Sequence, residues 1–226
     1  MEHGYNWLHG LPLPVHISTA ILVALLLVVF ALRVRPKLAN VESALEPDEG
    51  VSSRNVAEAV VEAISGMAEG VIGHHYEKYV PLLAAFFVFI LVSNLIGLVP
   101  GFLPPTSNFN TTLGLGLISF LAYNVYGLRE KGSDHLKHLL GPVWWLAFIM
   151  LPVELFSQGF RPISLGIRLF ANMFADHEVV SIFTSMTKLL VPVLFYVLGA
   201  FVCVVQAFVF TMLSAIYISL SVAHDH

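Results

Sequence analysis

The stretch "ELFSQGFRPISLGIRLFANMF", Glu154–Phe174, sets six polar side chains into an apolar run. Glu154, Ser157, Arg161, Ser164, Arg168 and Asn172 follow one another at spacings of 3, 4, 3, 4 and 4. That rhythm puts all six on one face of a helix, with Leu, Ile, Phe and Val opposite. The first and last are 18 residues apart, about 27 Å along a helix axis. A polar stripe of that length does not face lipid; it faces protein or water.

The rest of the chain says why lipid is the relevant surrounding. Its 226 residues are 57% hydrophobic and only 12% charged, against about 25% charged in soluble domains. The expected class is therefore an all-α integral membrane protein, a single membrane domain over residues 1–226. A net charge of −4 with 11 Lys+Arg argues against a nucleic-acid surface. A lone cysteine, Cys203, inside an apolar run leaves no internal disulfide and suggests no zinc cluster. The ten histidines fall at or beyond the expected span ends, so a bis-histidine haem site inside a bundle lacks its ligands. No cofactor is expected.

Apolar runs place spans at 17–32, 79–100, 111–128, 139–175 and 179–223, five in all. The leading "MEHGYNWLHG" has no Lys or Arg, whereas "RVRPK" (Arg33–Lys37) follows the first run. This order is the reverse of a signal peptide and reads as an uncleaved anchor with its N-terminus outside. Arg129, Lys131 and Lys137 lie in a second basic loop, so both basic loops fall in the cytoplasm, as does the C-terminus. Residues 56–76 form an amphipathic helix: Val60, Ile64, Met67 and Val71 recur on one face, and Glu58, Glu62 and Glu69 lie on another. Its apolar face suits either another protein subunit or the membrane surface. The last two helices are longer than a simple span requires, hence tilted or bent, and the polar "DHE" (Asp176–Glu178) reads as the turn between them.

Charge inside the bilayer is costly, about 2.5–3.5 kcal/mol for a central arginine on insertion scales. Arg168 has no obvious carboxylate of its own chain at its depth. Glu154 is about 21 Å away along the helix, Asp176 and Glu178 sit at the membrane edge, and the last span has no acid before Asp225. Its expected partner is a carboxylate on another subunit. Arg161 precedes Pro162, which would kink the helix; the arginine is either structural, snorkelling toward the cytoplasm, or functional. Lys188 is expected to snorkel outward. Glu154 either ionises in a water-filled cleft or ends the helix near the cytoplasm, and the shared stripe favours the cleft. In the last span Gln206 and Tyr217 share a face at a spacing of 11, close to three turns. Gln206 suits an interhelical hydrogen bond or a role in a proton path. His177, flanked by Asp176 and Glu178, is either an ordinary polar turn or a titratable cluster suited to proton uptake.

"SLGIRLFANMF" resembles the signature of subunit a of F-type ATP synthases, the stator channel of the rotary proton motor. Three further stretches resemble that family in order: "PLLAAFFVFILVSNLIGLVPG", "PTSNFNTTLGLGL" and "QAFVFTMLSAIYISLSVAHDH". The resemblance implies a bacterial inner-membrane subunit, not catalytic itself, whose last two helices lie against a ring of c subunits. It implies further partners in the b-subunit peripheral stalk and the remainder of the synthase, with H+ as the transported ion. Arg168 would face the ring carboxylate. Asn172 and Gln206 would line the outer half-channel, and Glu154 and Ser157 the cytoplasmic one. Tyr217 and Asn94 match recurrent family positions. His177 falls where many bacterial members carry glutamate and mitochondrial members histidine. The last-span histidine of some bacterial members corresponds to Gly199, a departure from the pattern. The competing class is a stand-alone secondary transporter or ion channel, which would use the buried arginine as an anion site but would be expected to show repeat symmetry.

Overall fold

The computed structural model describes residues 13–39, 52–73, 75–99, 101–132, 147–186 and 190–222. Among them lie six α-helices, no strand and two short 3₁₀ turns. The helices are α1 (Val15–Ala39), α2 (Ser53–Ile72), α3 (Val80–Ile96), α4 (Phe109–Lys131), α5 (Ala147–Met186) and α6 (Leu190–Val222). Three of them are long and apolar enough to cross a membrane: α1 over Val15–Pro36, α4 throughout, and α6 over Pro192–Val222. The 17 residues of α3 are apolar but shorter, and α5 carries the polar stripe. The chain is an all-α membrane protein.

Several boundaries differ from those read in the sequence: α2 ends at Ile72 rather than 76, α3 at Ile96 rather than 100, and α6 starts at Leu190 rather than 179. Asp176–Glu178 is not a turn: α5 runs through it to Met186, 40 residues in all. Polar residues at a membrane edge need not end a helix, because the backbone bonds continue into the polar layer. At about 60 Å, α5 is twice the thickness of a hydrocarbon core of about 30 Å. Pro152 and Pro162 both lie inside it without interrupting it. The proposed start of this span at 139 lies outside the described residues, as does Lys188. At the other end of the chain, α1 continues beyond residue 32 through "RVRPK" to Ala39.

The apolar face of α2 meets neither partner expected from its sequence, another subunit or the membrane surface, but its own chain. Ser52 caps it, its hydroxyl accepting the Asn55 N–H at 3.2 Å. Gly73 ends it at φ 77, donating its N–H to the Glu69 carbonyl; glycine takes this left-handed conformation without a Cβ penalty. Ile64 and Ala68 are buried, and Val60, Met67 and Val71 pack with them against Tyr79, Leu83, Tyr123, Ala215 and Ile218. The apolar face is therefore covered chiefly by α3 and α6 of the same chain. Ser219 Oγ on α6 donates to the Val71 carbonyl at 3.0 Å, a further tie. Glu62 and Glu69 remain exposed, while Glu58 pairs with Arg54 at 2.7 Å.

The centre of the bundle is α4, α5 and α6. The buried stripe of α4 is Thr112, Leu115, Gly116, Ser119, Tyr123 and Gly127, a run of small and hydroxylated residues that lets backbones approach closely. A Cβ at Gly116 would collide with the Pro162 carbonyl oxygen of α5, and one at Gly166 would meet Leu113 Cα at 3.0 Å. The two helices thus touch backbone to backbone at two levels. Along the same stripe α4 reaches α6 through hydroxyls: Ser119 Oγ and Ser214 Oγ are 2.9 Å apart, and Ser221 Oγ donates to the Tyr123 carbonyl at 2.9 Å. Phe86 and Ile90 of α3, Leu165, Leu169 and Met173 of α5, and Cys203, Ala207 and Phe210 of α6 complete the apolar core.

Gly116→Ala is expected to destabilise the bundle by about 1–3 kcal/mol, because the obstructing atom is backbone and cannot rotate away. Gly114→Ala, in the same helix with open space around it, is expected to be neutral or slightly stabilising. Heat-induced loss of the detergent-purified protein compares the two directly, and equal midpoints would contradict the close contact.

Candidate functional site

The buried seam of α5 is Pro162, Leu165, Gly166, Leu169, Met173 and Val180. Arg161, Ser164, Arg168 and Asn172 each precede a seam residue by one position, about 100° around the helix from it. The polar stripe therefore borders the packed seam rather than filling it. Ser157, Ser164 and Arg168 are exposed at that border. The side chain of Glu154 lies outside the described residues.

Beside the polar stripe, much of the exposed surface of the last two helices is apolar. Phe156, Phe160, Ile163, Ile167 and Phe174 of α5 are exposed, and so are Phe201, Val204, Val205, Phe208 and Met212 of α6. Among the described residues Arg168 makes no ion pair and no hydrogen bond. A guanidinium has five N–H donors, and at Arg168 none of them meets a partner among the described residues.

One turn further along α5, the amide of Asn172 donates from Nδ2 to Gln206 Oε1 of α6 at 2.6 Å. Gln206 is buried, with 4% of its surface exposed. The bond locks its carbonyl toward α5 and brings two of the sequence-selected residues into one constellation with Arg168, four residues away from Asn172 on the same face. In the opposite direction, the Arg161 guanidinium lies 5.2 Å from the centre of the Tyr217 ring and 6.0 Å from that of Tyr123. Arginine over aromatic faces is favourable, by about 0.5–2 kcal/mol. Arg161 thus ties α5 to both α4 and α6, and Tyr217 is one of its supports. Tyr217 lies 11 residues from Gln206, about 16 Å along α6, so the two act at different levels.

The titratable trio divides once the helix is seen to continue. Asp176 and His177 are half-buried and Glu178 is exposed. Asp176 faces α6, where a Cβ at Gly199 would meet its Oδ2 at 2.7 Å and its Oδ1 at 3.2 Å. Asn94 belongs elsewhere. Buried in α3, it accepts a hydrogen bond from Thr106 Oγ1 at 2.7 Å, which fastens the Pro-rich loop to the helix end. Pro104 lies against Gly97, where a Cβ would come within 2.6 Å of its ring.

Sequence reasoning passed over Tyr123, the second ring under Arg161, and the Asp176–Gly199 contact. The signal for Tyr123 was present in the small-residue stripe of α4. The contact across α5 and α6 left no pattern along either helix. Among the described residues no group of three His, Cys, Asp or Glu side chains is arranged to hold a metal.

Residues 16–219 match the ATP synthase A chain family. The chain is similar to ATP synthase subunit a of Bdellovibrio bacteriovorus, with 44% identity over 212 residues covering 93% of each protein. It is 40% identical to ATP synthase subunit a 1 of Syntrophotalea carbinolica over 212 residues, 94% of this chain and 87% of that one. With ATP synthase subunit a of Geobacter sulfurreducens the identity is 42% over 173 residues, 76% of each. A match of this extent, in which Arg168 and the Asn172–Gln206 pair both fall, makes the chain a member of the ATP synthase A chain family.

Proposed function

We propose that this chain is the stator channel of a bacterial rotary ATP synthase, carrying protons to and from a carboxylate on each subunit of a rotating c-ring. The observation that carries the reading is Arg168, exposed on the apolar α5–α6 face with no partner among the described residues. A cation held at that depth needs a counter-charge, and a ring of carboxylates supplies one at a time. The apolar residues around it give the ring a surface to slide on, with no hydrogen bonds to break at each step.

The direction of flow follows from the stripe. The N-terminus is outside and the C-terminus and both basic loops are cytoplasmic, so the Asp176 end of α5 opens outward. A proton taken up there passes the Asn172–Gln206 pair and neutralises a ring carboxylate. The neutral site travels through lipid, where its charged form would be costly. After almost a full turn it meets the cytoplasmic cleft at Ser157 and Glu154. Arg168 then favours the ionised carboxylate by charge proximity and releases the proton. Its fixed charge also repels protons at the boundary between the two half-channels, so flow requires rotation. Arg161, held over Tyr217 and Tyr123, fixes the helix on the cytoplasmic side of that boundary. The b-subunit stalk holds the chain still against the ring, and ATP chemistry takes place in the soluble part of the assembly.

Inverted membrane vesicles bearing Arg168→Ala test this reading. ATP-driven acidification is expected to disappear while passive proton leak is kept or increased; normal pumping would contradict the reading. A second test concerns the amide pair. Asn172→Ala and Gln206→Ala are each expected to slow pumping by roughly threefold to tenfold, and the double variant little more than the worse single one, because residues in one hydrogen bond do not add. Fully multiplicative losses would show that the two act independently.

A further inference from the structure

Outside its small-residue stripe, α4 carries a shallow cleft of about 330 Å³, lined by Ile118, Leu121, Ala122, Val125, Tyr126 and Arg129. The spacings of 3, 1, 3, 1 and 3 put these residues on one face of the helix. Ile118, Leu121 and Val125 are exposed, and Ala122 between them lacks the bulk that would fill the middle. The cleft is apolar along its length and polar at one end, where Tyr126 and Arg129 stand.

The polar end is fixed by its neighbours. Tyr126 meets Tyr79 edge-on, their ring centres 4.8 Å apart, and Tyr79 is itself buried. Glu130, the one carboxylate in the last turn of α4, accepts from Lys78 Nζ at 2.8 Å and from the Tyr79 hydroxyl at 3.5 Å. It is matched by a cation from outside the helix, and Arg129 keeps its charge. Among the described residues Arg129 makes no ion pair and no hydrogen bond. Lys131 adds a second cation to the same turn.

Length decides what fits. Ile118 and Arg129 are 11 residues apart, about 16 Å along the axis and so close to half of a hydrocarbon core of about 30 Å. A spanning helix of another subunit would need an apolar face over the whole thickness, yet further along this face α4 offers Gly114, Thr111 and Asn110. An acyl chain needs one leaflet only, and its phosphate then lies level with the arginine. Tyrosine suits that headgroup depth, and a guanidinium binds phosphate through paired N–H donors.

We propose that this cleft binds one anionic phospholipid, with an acyl chain along Ile118–Val125 and the headgroup phosphate on Arg129 and Tyr126. The inference goes beyond the channel reading: the site is on α4, apart from the polar stripe of α5, and takes no part in proton movement. It places a lipid on the helix against which α5 packs.

The test uses the intact complex in phosphatidylcholine vesicles holding a minor share of phosphatidylglycerol with a photoreactive acyl chain. The α4 peptide from Ile118 to Arg129 is expected to carry the label and to lose it to excess unlabelled phosphatidylglycerol. Arg129→Gln is expected to lower labelling by about fivefold, and Arg129→Lys to keep most of it. Ala122→Phe, which fills the middle of the cleft, is expected to lower labelling with the arginine in place. Labelling unaltered by Arg129→Gln in fully assembled complex would overturn the inference. So would equal labelling by phosphatidylcholine bearing the same photoreactive chain, a comparison that the unaltered complex decides alone. A photo-crosslink from position 121 to another subunit would also overturn it, since a protein would then fill the cleft. The channel reading stands or falls separately, on Arg168→Ala.

Discussion

The close approach of α4 and α5 governs how the rest of the molecule is arranged. Where the Pro162 carbonyl meets Gly116 and Gly166 meets Leu113, no side chain separates the backbones, so neither helix can rotate without a clash. That contact turns Leu165, Leu169 and Met173 into the core and leaves Arg168 at the exposed border. Hydroxyl contacts from α4 to α6 then hold the third helix in register, and the register aligns Gln206 with Asn172. Small residues and short polar bonds suit a bundle in lipid, where apolar side chains gain little by leaving the hydrocarbon for each other.

On that frame the polar groups fall into levels along α5. Arg161 is enclosed by two tyrosine rings and serves packing. Arg168 is exposed and has no partner among the described residues. Asn172 is bonded to a buried amide, and Asp176 rests on a glycine. The contrast between the two arginines is informative, because their sequence surroundings are similar and only their partners differ. In the proposed mechanism the satisfied one holds the scaffold and the unsatisfied one meets the rotor.

Much of this was legible in the sequence because helical period is a local property. The stripe from Glu154 to Asn172, the apolar runs and the amphipathic face of α2 all follow from spacing alone. What was not legible depends on which helices become neighbours. The apolar face of α2 was plain, but its covering by α3 and α6 of its own chain was not. Asp176, His177 and Glu178 look like a turn when hydropathy is read alone; as part of a continuous helix they point in three directions, and Asp176 faces Gly199 of α6. Arg161 looked ambiguous because its two rings come from residues 123 and 217, distant in sequence. Asn94 matched a motif, yet its hydrogen bond to Thr106 gives it a loop-fastening place away from the α5–α6 border.

The central claim is that Arg168 meets its counter-charge on another subunit. An experimental structure of the intact membrane complex measures this directly. The account predicts the ring packed on the exposed α5–α6 face, with the Arg168 guanidinium within about 4–6 Å of one ring carboxylate. A ring seated on a different face, or Arg168 paired with an acid of its own chain, would contradict it.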